Sequence, residues 1–407
     1  MFATTPLGIF QQSLALQERD WLGTMAVDFY CDLRRFPFSL IPRGRARSYL
    51  AKRMLPELDA RRVRTHPLPS IVRRLGARFP RSSEGQHAWI WWLNGRFDAW
   101  VASQLGAFGN LVVGYEGSSL LTFRRAKALG LPTILYQPIM CAEVATSLLA
   151  EEAKRFPQLT DTLRYNWFPP KELARRCEER ELADLILCAS SATKRSLIEV
   201  GVPAEKIHVE PYGVDQKVFA PSTDKLDQFS IIWASAFTQT KGIAYLLEAL
   251  ARNPVPGAEL VLAGYPAFGA DPVLRYEDRI RVRRLGTVDR PELSQVMRRC
   301  HVHVFPTIVE GFGRNIIEAM ASGLPVVTTP NGAGPDLIED GVTGFIVPIR
   351  DVDAIADRLA WIAGHPEEAV AMGQRARDRV APLTPADYRT RFADQIGSVW
   401  STHREAT

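Results

Sequence analysis

Residues 302–329, VHVFPTIVEGFGRNIIEAMASGLPVVTT, decide the fold. Val302-His303-Val304-Phe305-Pro306 is a short apolar run of the kind that fills a buried strand, and Val326-Val327-Thr328-Thr329 is a second. Between them residues 315–322 carry helical spacing, and Gly323-Leu324-Pro325 ends the helix in a tight turn. The loop Glu310-Gly311-Phe312-Gly313 sets two glycines before that helix, where backbone can approach a ligand closely and free amides point outward. A helix start of this kind favours anions. Glu318 falls four residues after Arg314, on the turn leaning back toward the loop, so Glu310 and Glu318 can reach one cleft. The plain alternative is that Glu310 caps a helix and Glu318 is a surface carboxylate.

A second loop favours the cleft. Residues 230–234 lead through Ser235-Ala236-Phe237-Thr238-Gln239-Thr240 into Lys241-Gly242 at the start of another helical pattern. A lysine there opposes the helix dipole, and Arg314 stands in the same unfavourable place on its own helix. A diphosphate between the two helix starts satisfies both cations. The carboxylates would then accept hydrogen bonds from the vicinal hydroxyls of a sugar and a ribose.

Working outward, short β-branched runs alternate with amphipathic stretches. Strands are expected at 25–30, 110–114, 133–136, 185–189, 207–210, 230–234, 259–263, 281–285, 302–305 and 326–329. Helical patterns lie at 118–129, 192–200, 242–251, 291–299, 315–322 and 354–363. This alternation implies an α/β chain with parallel sheets, covered on both faces, that bind ligands beyond the carboxyl ends of their strands. Pro211-Tyr212-Gly213-Val214-Asp215, followed by 221–224, reads as a hinge. It divides the chain into Rossmann-like domains at 1–213 and 214–385 facing a cleft.

The chain has 407 residues, 46% of them apolar, enough for two cores. Nothing at the amino terminus reads as a signal, and no apolar run approaches the ~20 residues of a membrane span. A cytoplasmic location is expected. The five cysteines show no metal-ligand spacing and read as reduced, mostly buried thiols. Net charge is only +5, but Arg43, Arg45, Arg47, Lys52, Arg53, Arg61, Arg62, Arg64, Arg73, Arg74, Arg78 and Arg81 crowd one stretch. That face suits an anionic acceptor or peripheral association with the inner face of an anionic membrane; a solvated, salt-bridged helical surface is the bland alternative. Nucleic acid is not expected, because neither an RNP-like aromatic motif nor zinc-finger spacing accompanies the arginines.

The run from Glu310 to Val327 resembles the donor-site signature of family-4 retaining glycosyltransferases (glycosyl transferases group 1), which have the GT-B fold. Pro211 to Asp215, Lys241-Gly242, Leu262-Ala263-Gly264, Leu285-Gly286 with Pro291-Glu292-Leu293, and Asp340-Gly341 to Pro348 resemble family landmarks in order. The resemblance is strong over the last half of the chain and weak over the first. It implies a nucleotide-sugar donor, a carbohydrate or glycolipid acceptor, no cofactor and no metal. It makes Glu310 the catalytic residue, positioning and stabilising the transferred sugar, and assigns Glu318 to the ribose and Lys241 to the diphosphate. Gly311, Phe312, Gly313 and Arg314 would lie by the sugar and phosphates, and Thr287 and Val288 by the base. It also implies that a helix over about 386–407 crosses back to the first domain, and that the cleft closes around donor.

The pattern fails in three places. Ala236 stands where many relatives place a second cation for the diphosphate; only Gly8 remains of an amino-terminal Gly-Gly loop; and Gly114-Tyr115-Glu116-Gly117 replaces a segment that often carries a sugar-binding His. Gly8, Tyr115, Glu116 and Gln137 are the substitute candidates for acceptor or sugar contacts. The aromatic cluster Trp89, Trp91, Trp92, Phe97 and Trp100 suits core packing better than an acceptor platform. Two rivals remain: a degenerate, non-catalytic GT-B scaffold or regulatory subunit, and a GT-B sugar-nucleotide epimerase. Dinucleotide redox chemistry is disfavoured, since no GxGxxG follows a strand.

Overall fold

The computed structural model describes residues 2–4, 10–34, 38–42, 44, 47, 50–51, 54–66, 83–106, 109–163, 168–267 and 271–406. Its strands are β1 (Phe2–Thr4), β2 (Met25–Val27), β3 (Val63–Thr65), β4 (Val112–Tyr115), β5 (Thr133–Gln137), β6 (Leu185–Cys188), β7 (Ile207–Val209), β8 (Ser230–Ala234), β9 (Glu259–Ala263), β10 (Val282–Gly286), β11 (Val302–Phe305), β12 (Val326–Thr328) and β13 (Phe345–Ile346). The helices are α1 (Phe10–Glu18), α2 (Ser83–Gln104), α3 (Leu120–Ala128), α4 (Ala142–Arg155), α5 (Pro170–Leu182), α6 (Ser191–Glu199), α7 (Ile243–Arg252), α8 (Arg290–Met297), α9 (Arg314–Ala321), α10 (Gly334–Leu337), α11 (Val352–Gly364), α12 (Pro366–Val380) and α13 (Pro385–Ala406).

The strands form two parallel sheets, ordered β3-β2-β1-β4-β5-β6-β7 and β10-β9-β8-β11-β12-β13. Central strands such as β5, β6 and β11 are buried along their whole length, which is why they read as continuous apolar runs rather than alternating ones. In each sheet the strand order reverses once, between β1 and β4 in the first and between β8 and β11 in the second. Such switch points open a crevice at the carboxyl ends of the strands.

Helix α13 returns to the first sheet, where Tyr388, Phe392, Ala393 and Ile396 share a core with Ala15, Leu22, Met25 and Val113. A second crossing has no counterpart in the sequence reading. Met140, Ala145, Leu149, Phe156, Leu159 and Leu163, on and beside α4, are buried in one cluster with Trp233, Leu246 and Val304 of the second half. At its centre Glu152 is fully buried and accepts hydrogen bonds from Gln239 Nε2 (2.8 Å), Tyr245 Oη (2.8 Å) and Arg350 Nε (2.6 Å).

Three short strands, β1, β3 and β13, are absent from the ten expected because two or three residues carry no periodicity. Within the basic stretch the chain forms an edge strand beside Arg61 and Arg62, which pair with Asp59 and Asp20 at 2.9 and 2.6 Å. Of the other basic residues there, all but Arg47 and Arg64 lie outside the described residues. Helix α5 was missed because it buries charge: Arg176, Glu179 and Arg180 face inward, where apolar spacing would be expected. The aromatic cluster on α2 is divided, with Phe97 fully buried and Trp92 half exposed against Trp89. Four cysteines are buried and free, and Cys177 is exposed. No helix among the described residues is long and apolar enough to cross a membrane.

Candidate functional site

The loops leaving β8 and β11 meet at the second switch point. Gly242 has φ +75°, and a Cβ there would stand 1.9 Å from the carbonyl oxygen of Pro306, so only glycine lets the two loops touch. Lys241 ends a 3-10 turn, Gln239–Lys241, one residue before α7 instead of inside its first turn. From there its Nζ reaches 2.6 Å to Glu310 Oε2. The other oxygen, Glu310 Oε1, accepts from the amide of Gly311 at 2.9 Å.

Gly311 is held from the first half of the chain. A Cβ on it would lie 1.9 Å from the carbonyl of Pro138, and its own carbonyl accepts from Ser190 Oγ and from Thr193 Oγ1, the latter at 3.2 Å. Beside it, Ser191 N donates to both oxygens of Asp336 at 3.1 and 3.0 Å. The loop around Gly311 is thus clamped between the start of α6 and the end of β5.

Gly313, at φ +81°, begins α9 without a side-chain cap, which leaves first-turn amides to other acceptors. Glu310, Phe312, Gly313, Arg314, Asn315 and Glu318 line one crevice of about 350 Å³. Arg314, Glu318 and Tyr212 form the wall between it and a second hollow of about 270 Å³, lined also by Gln11, Gln12 and Arg290. The Arg314 guanidinium lies over the Tyr212 ring at 4.8 Å, and Phe312 meets the same ring edge-on at 5.1 Å.

Glu318 has only 8% of its side chain exposed and pairs with Arg290 Nη1 at 2.7 Å. Burial pushes its carboxyl above the ordinary range, while Arg290 and Arg314 pull it back. Burial likewise raises the Tyr212 hydroxyl, which shares a hydrogen bond with that of Tyr136. The site therefore carries two cation-carboxylate pairs, Lys241 with Glu310 and Arg290 with Glu318.

Glu310, Phe312, Gly313, Arg314 and Glu318 line one crevice, and Lys241 and Gly311 adjoin it through Glu310 without lining it. The others do not join them. Thr287 is exposed and Val288 half-buried between β10 and α8, and neither lines a hollow. Tyr115 packs on Tyr136 at 5.7 Å in the first core. Glu116 is buried, 3.8 Å from Arg176 Nε and 3.9 Å from Arg180 Nη1, and Gln137 is fully buried with Nε2 on the Ile139 carbonyl at 2.9 Å. The arginines beside Glu116 come from α5, whose buried charges the periodicity did not place. Gly8 lies outside the described residues. The reading missed Arg290 and gave Tyr212 no part in the site. Arg290 carried the signal used for Lys241 and Arg314, a cation at a helix start directly after its cap, Asp289.

Residues 215–379 match the family described as glycosyl transferases group 1. The chain is 31% identical over 224 residues to an MMP alpha-(1->4)-mannosyltransferase of Mycolicibacterium hassiacum, covering 53% of this chain and 54% of that one. It is 30% identical over 241 residues to a D-inositol 3-phosphate glycosyltransferase of Mycolicibacterium paratuberculosis, covering 54% of each. It thus spans about half the length of these curated relatives. Among solved structures, sucrose-phosphate synthase from Thermosynechococcus elongatus superposes with TM-score 0.71 at 19% identity over 100% of this chain and 99% of that one. Anabaena HepE in complex with UDP-glucose gives 0.64 at 19% identity over 98% of each. The architecture is GT-B, two Rossmann-like halves, as the resemblance implied.

Proposed function

We propose, from the premise that residues 215–379 form a group 1 glycosyl transferase domain, that the chain moves a hexose-type sugar from a nucleotide-diphosphate sugar to a hydroxyl acceptor with retention and without a metal. One observation carries this reading: two carboxylates, Glu310 and Glu318, and the start of α9 line one crevice, with Lys241 2.6 Å from Glu310. An entering diphosphate offers Lys241 a stronger partner than Glu310, which frees Glu310 for sugar hydroxyls. Glu318 accepts from the ribose. Lys241, Arg314 and the first amides of α9 stabilise the departing diphosphate, and electrostatics supplies most of the acceleration.

In this scheme the bond from the anomeric carbon to the leaving phosphate oxygen breaks and a bond to the acceptor oxygen forms on the same face. The acceptor proton passes to the leaving phosphate. Glu310 positions the sugar and stabilises the positive charge that develops on it, and forms no covalent bond. The acceptor is a carbohydrate or glycolipid, and the basic stretch of the first half draws the protein to anionic membrane.

Calorimetry with UDP, GDP and ADP, followed by turnover of the matching nucleotide sugars in chelator, tests the reading. Binding of one diphosphate, and a product that keeps the donor's anomeric configuration, support it. A non-catalytic scaffold would bind none of the three, and an epimerase would turn over without acceptor. Full activity in Glu310→Ala would sink the assignment. Sedimentation with anionic vesicles tests the membrane partner.

A further inference from the structure

Arg290 is the first residue of α8, where the helix dipole disfavours a cation, and it makes no ion pair with the neighbouring cap. Asp289 instead accepts from the amide of Glu292 at 2.9 Å. The Arg290 guanidinium lies over the Phe219 ring at 5.1 Å and reaches Glu318 Oε1 at 2.7 Å. The pair is lopsided, with 51% of the Arg290 side chain exposed against 8% of Glu318, so a buried carboxylate is met by a cation standing in the hollow. Among the described residues Arg290 is the one cation within ion-pair distance of Glu318. Arg314, one turn away on the same helix, is drawn to the Tyr212 ring. The other titratable groups around the two hollows are Asp215 and Tyr212 of the inter-sheet link, Tyr388 of α13, and Glu310 with its partner Lys241. None of these supplies a second positive charge directly on the carboxylate.

We propose that Arg290 is a positioning residue of the nucleotide site, holding Glu318 ionised and aimed into the hollow so that its remaining lone pairs accept from a pair of vicinal hydroxyls, the chemistry of a ribose. The inference rests on the reading of Glu318 given above and adds the group on which that role depends. A buried carboxylate without a counter-charge takes up a proton, and the acid then accepts hydrogen bonds weakly. Arg290 prevents this from the solvent side, where a nucleoside can enter beside it.

The test is calorimetry of UDP, GDP and ADP, and of the 2′-deoxy analogue of whichever binds, across pH in wild type, Arg290→Ala, Arg290→Lys and Glu318→Gln. In Arg290→Ala the acid limb of binding should move up by about one pH unit. Its affinity should fall by up to about tenfold on the acid side of both limbs and recover to within about threefold of wild type well above them. The preference for ribose over 2′-deoxyribose should vanish and return with the same pH dependence, and Arg290→Lys should keep the wild-type limb. An equal loss at every pH would mean that Arg290 only packs against Phe219, and no loss would leave it without a role; either overturns the proposal. Wild-type Arg290 with an insensitive Glu318→Gln, or with no diphosphate binding at all, would instead bring down the underlying reading of the site and the proposal with it. A sensitive Glu318→Gln beside an unchanged Arg290→Ala would defeat this proposal alone.

Discussion

Lys241 Nζ stands 2.6 Å from Glu310 Oε2, so the cation proposed for the diphosphate and the carboxylate proposed for the sugar are each other's counter-ion. Donor must exchange one partner for another at both. This gives the pair an unequal response to mutation. Glu310→Gln releases Lys241, so affinity for a bare nucleoside diphosphate should hold or rise while turnover falls by about two orders of magnitude. Lys241→Ala removes a charge-assisted contact to phosphate and should weaken diphosphate binding by about 1.5–3 kcal/mol. Calorimetry and initial rates on both variants check the asymmetry, and equal losses of diphosphate affinity would contradict it.

Gly311→Ala should be among the most damaging single-methyl additions in the chain. The new Cβ would sit 1.9 Å from the Pro138 carbonyl, a backbone atom that cannot rotate away, and Ser190 and Thr193 pin the neighbouring peptide. The loop must shift and carry Glu310 with it. A cost of about 2–4 kcal/mol is expected in denaturant unfolding, together with loss of turnover. A variant of wild-type stability and activity would show that the approach of the two halves is looser than the geometry indicates.

Glu179 gives a pH dependence. It is buried on α5, and burial holds its carboxyl up at about 7 against the pull of Arg175 and the amides of Ser119 and Gly117. The folded chain keeps this proton to higher pH than the unfolded chain, whose carboxyl has the ordinary value of 4.5. The stability this group contributes is therefore complete below the ordinary value and is lost as pH rises through about 7, a loss of about 3 kcal/mol. Glu179→Gln removes the titration, so its melting temperature should decline less than that of wild type between about pH 5 and about pH 7.5. Parallel declines would mean that the carboxyl is ionised throughout.

The legible and illegible parts of the sequence divide along one physical line. Residues 230–242 and 302–329 announced strand, loop and helix start because their strands are mostly apolar and cations stand at or just before their helix starts, where dipole arguments make them conspicuous. Arg290 has the same signature but falls just outside the helix expected at 291–299, which in the structure begins one residue earlier. Glu116 and Gln137 are candidates for sugar or acceptor contacts because they follow strands where relatives place sugar-binding residues. Glu116 lies instead beside Arg176 and Arg180, from a helix whose buried charges mimic an exposed face. No local pattern marks a carboxylate whose partners lie far away in the chain, and Glu152 is the extreme case.

Glu152 lies on α4, in the first half of the sequence, but accepts from Gln239, Tyr245 and Arg350 of the second. Leu149 and Phe156 on either side of it are buried in the second half's core. Helix α4 therefore belongs energetically to the donor half, and any opening of the cleft must bend the chain around α4 or tear it loose. Glu152→Ala leaves the Gln239 amide and the Tyr245 hydroxyl without this acceptor and takes one of two carboxylates from part-buried Arg350, which keeps Glu151; the change should cost about 2–4 kcal/mol. Glu152→Gln retains an acceptor oxygen and should cost less. Because the loss falls at the join, thermal unfolding of Glu152→Ala should separate into two transitions where wild type shows one, with donor-site ligand raising only the upper. A single transition lowered as a whole would mean that the two halves are coupled chiefly elsewhere, through α13 and the clamp on Gly311.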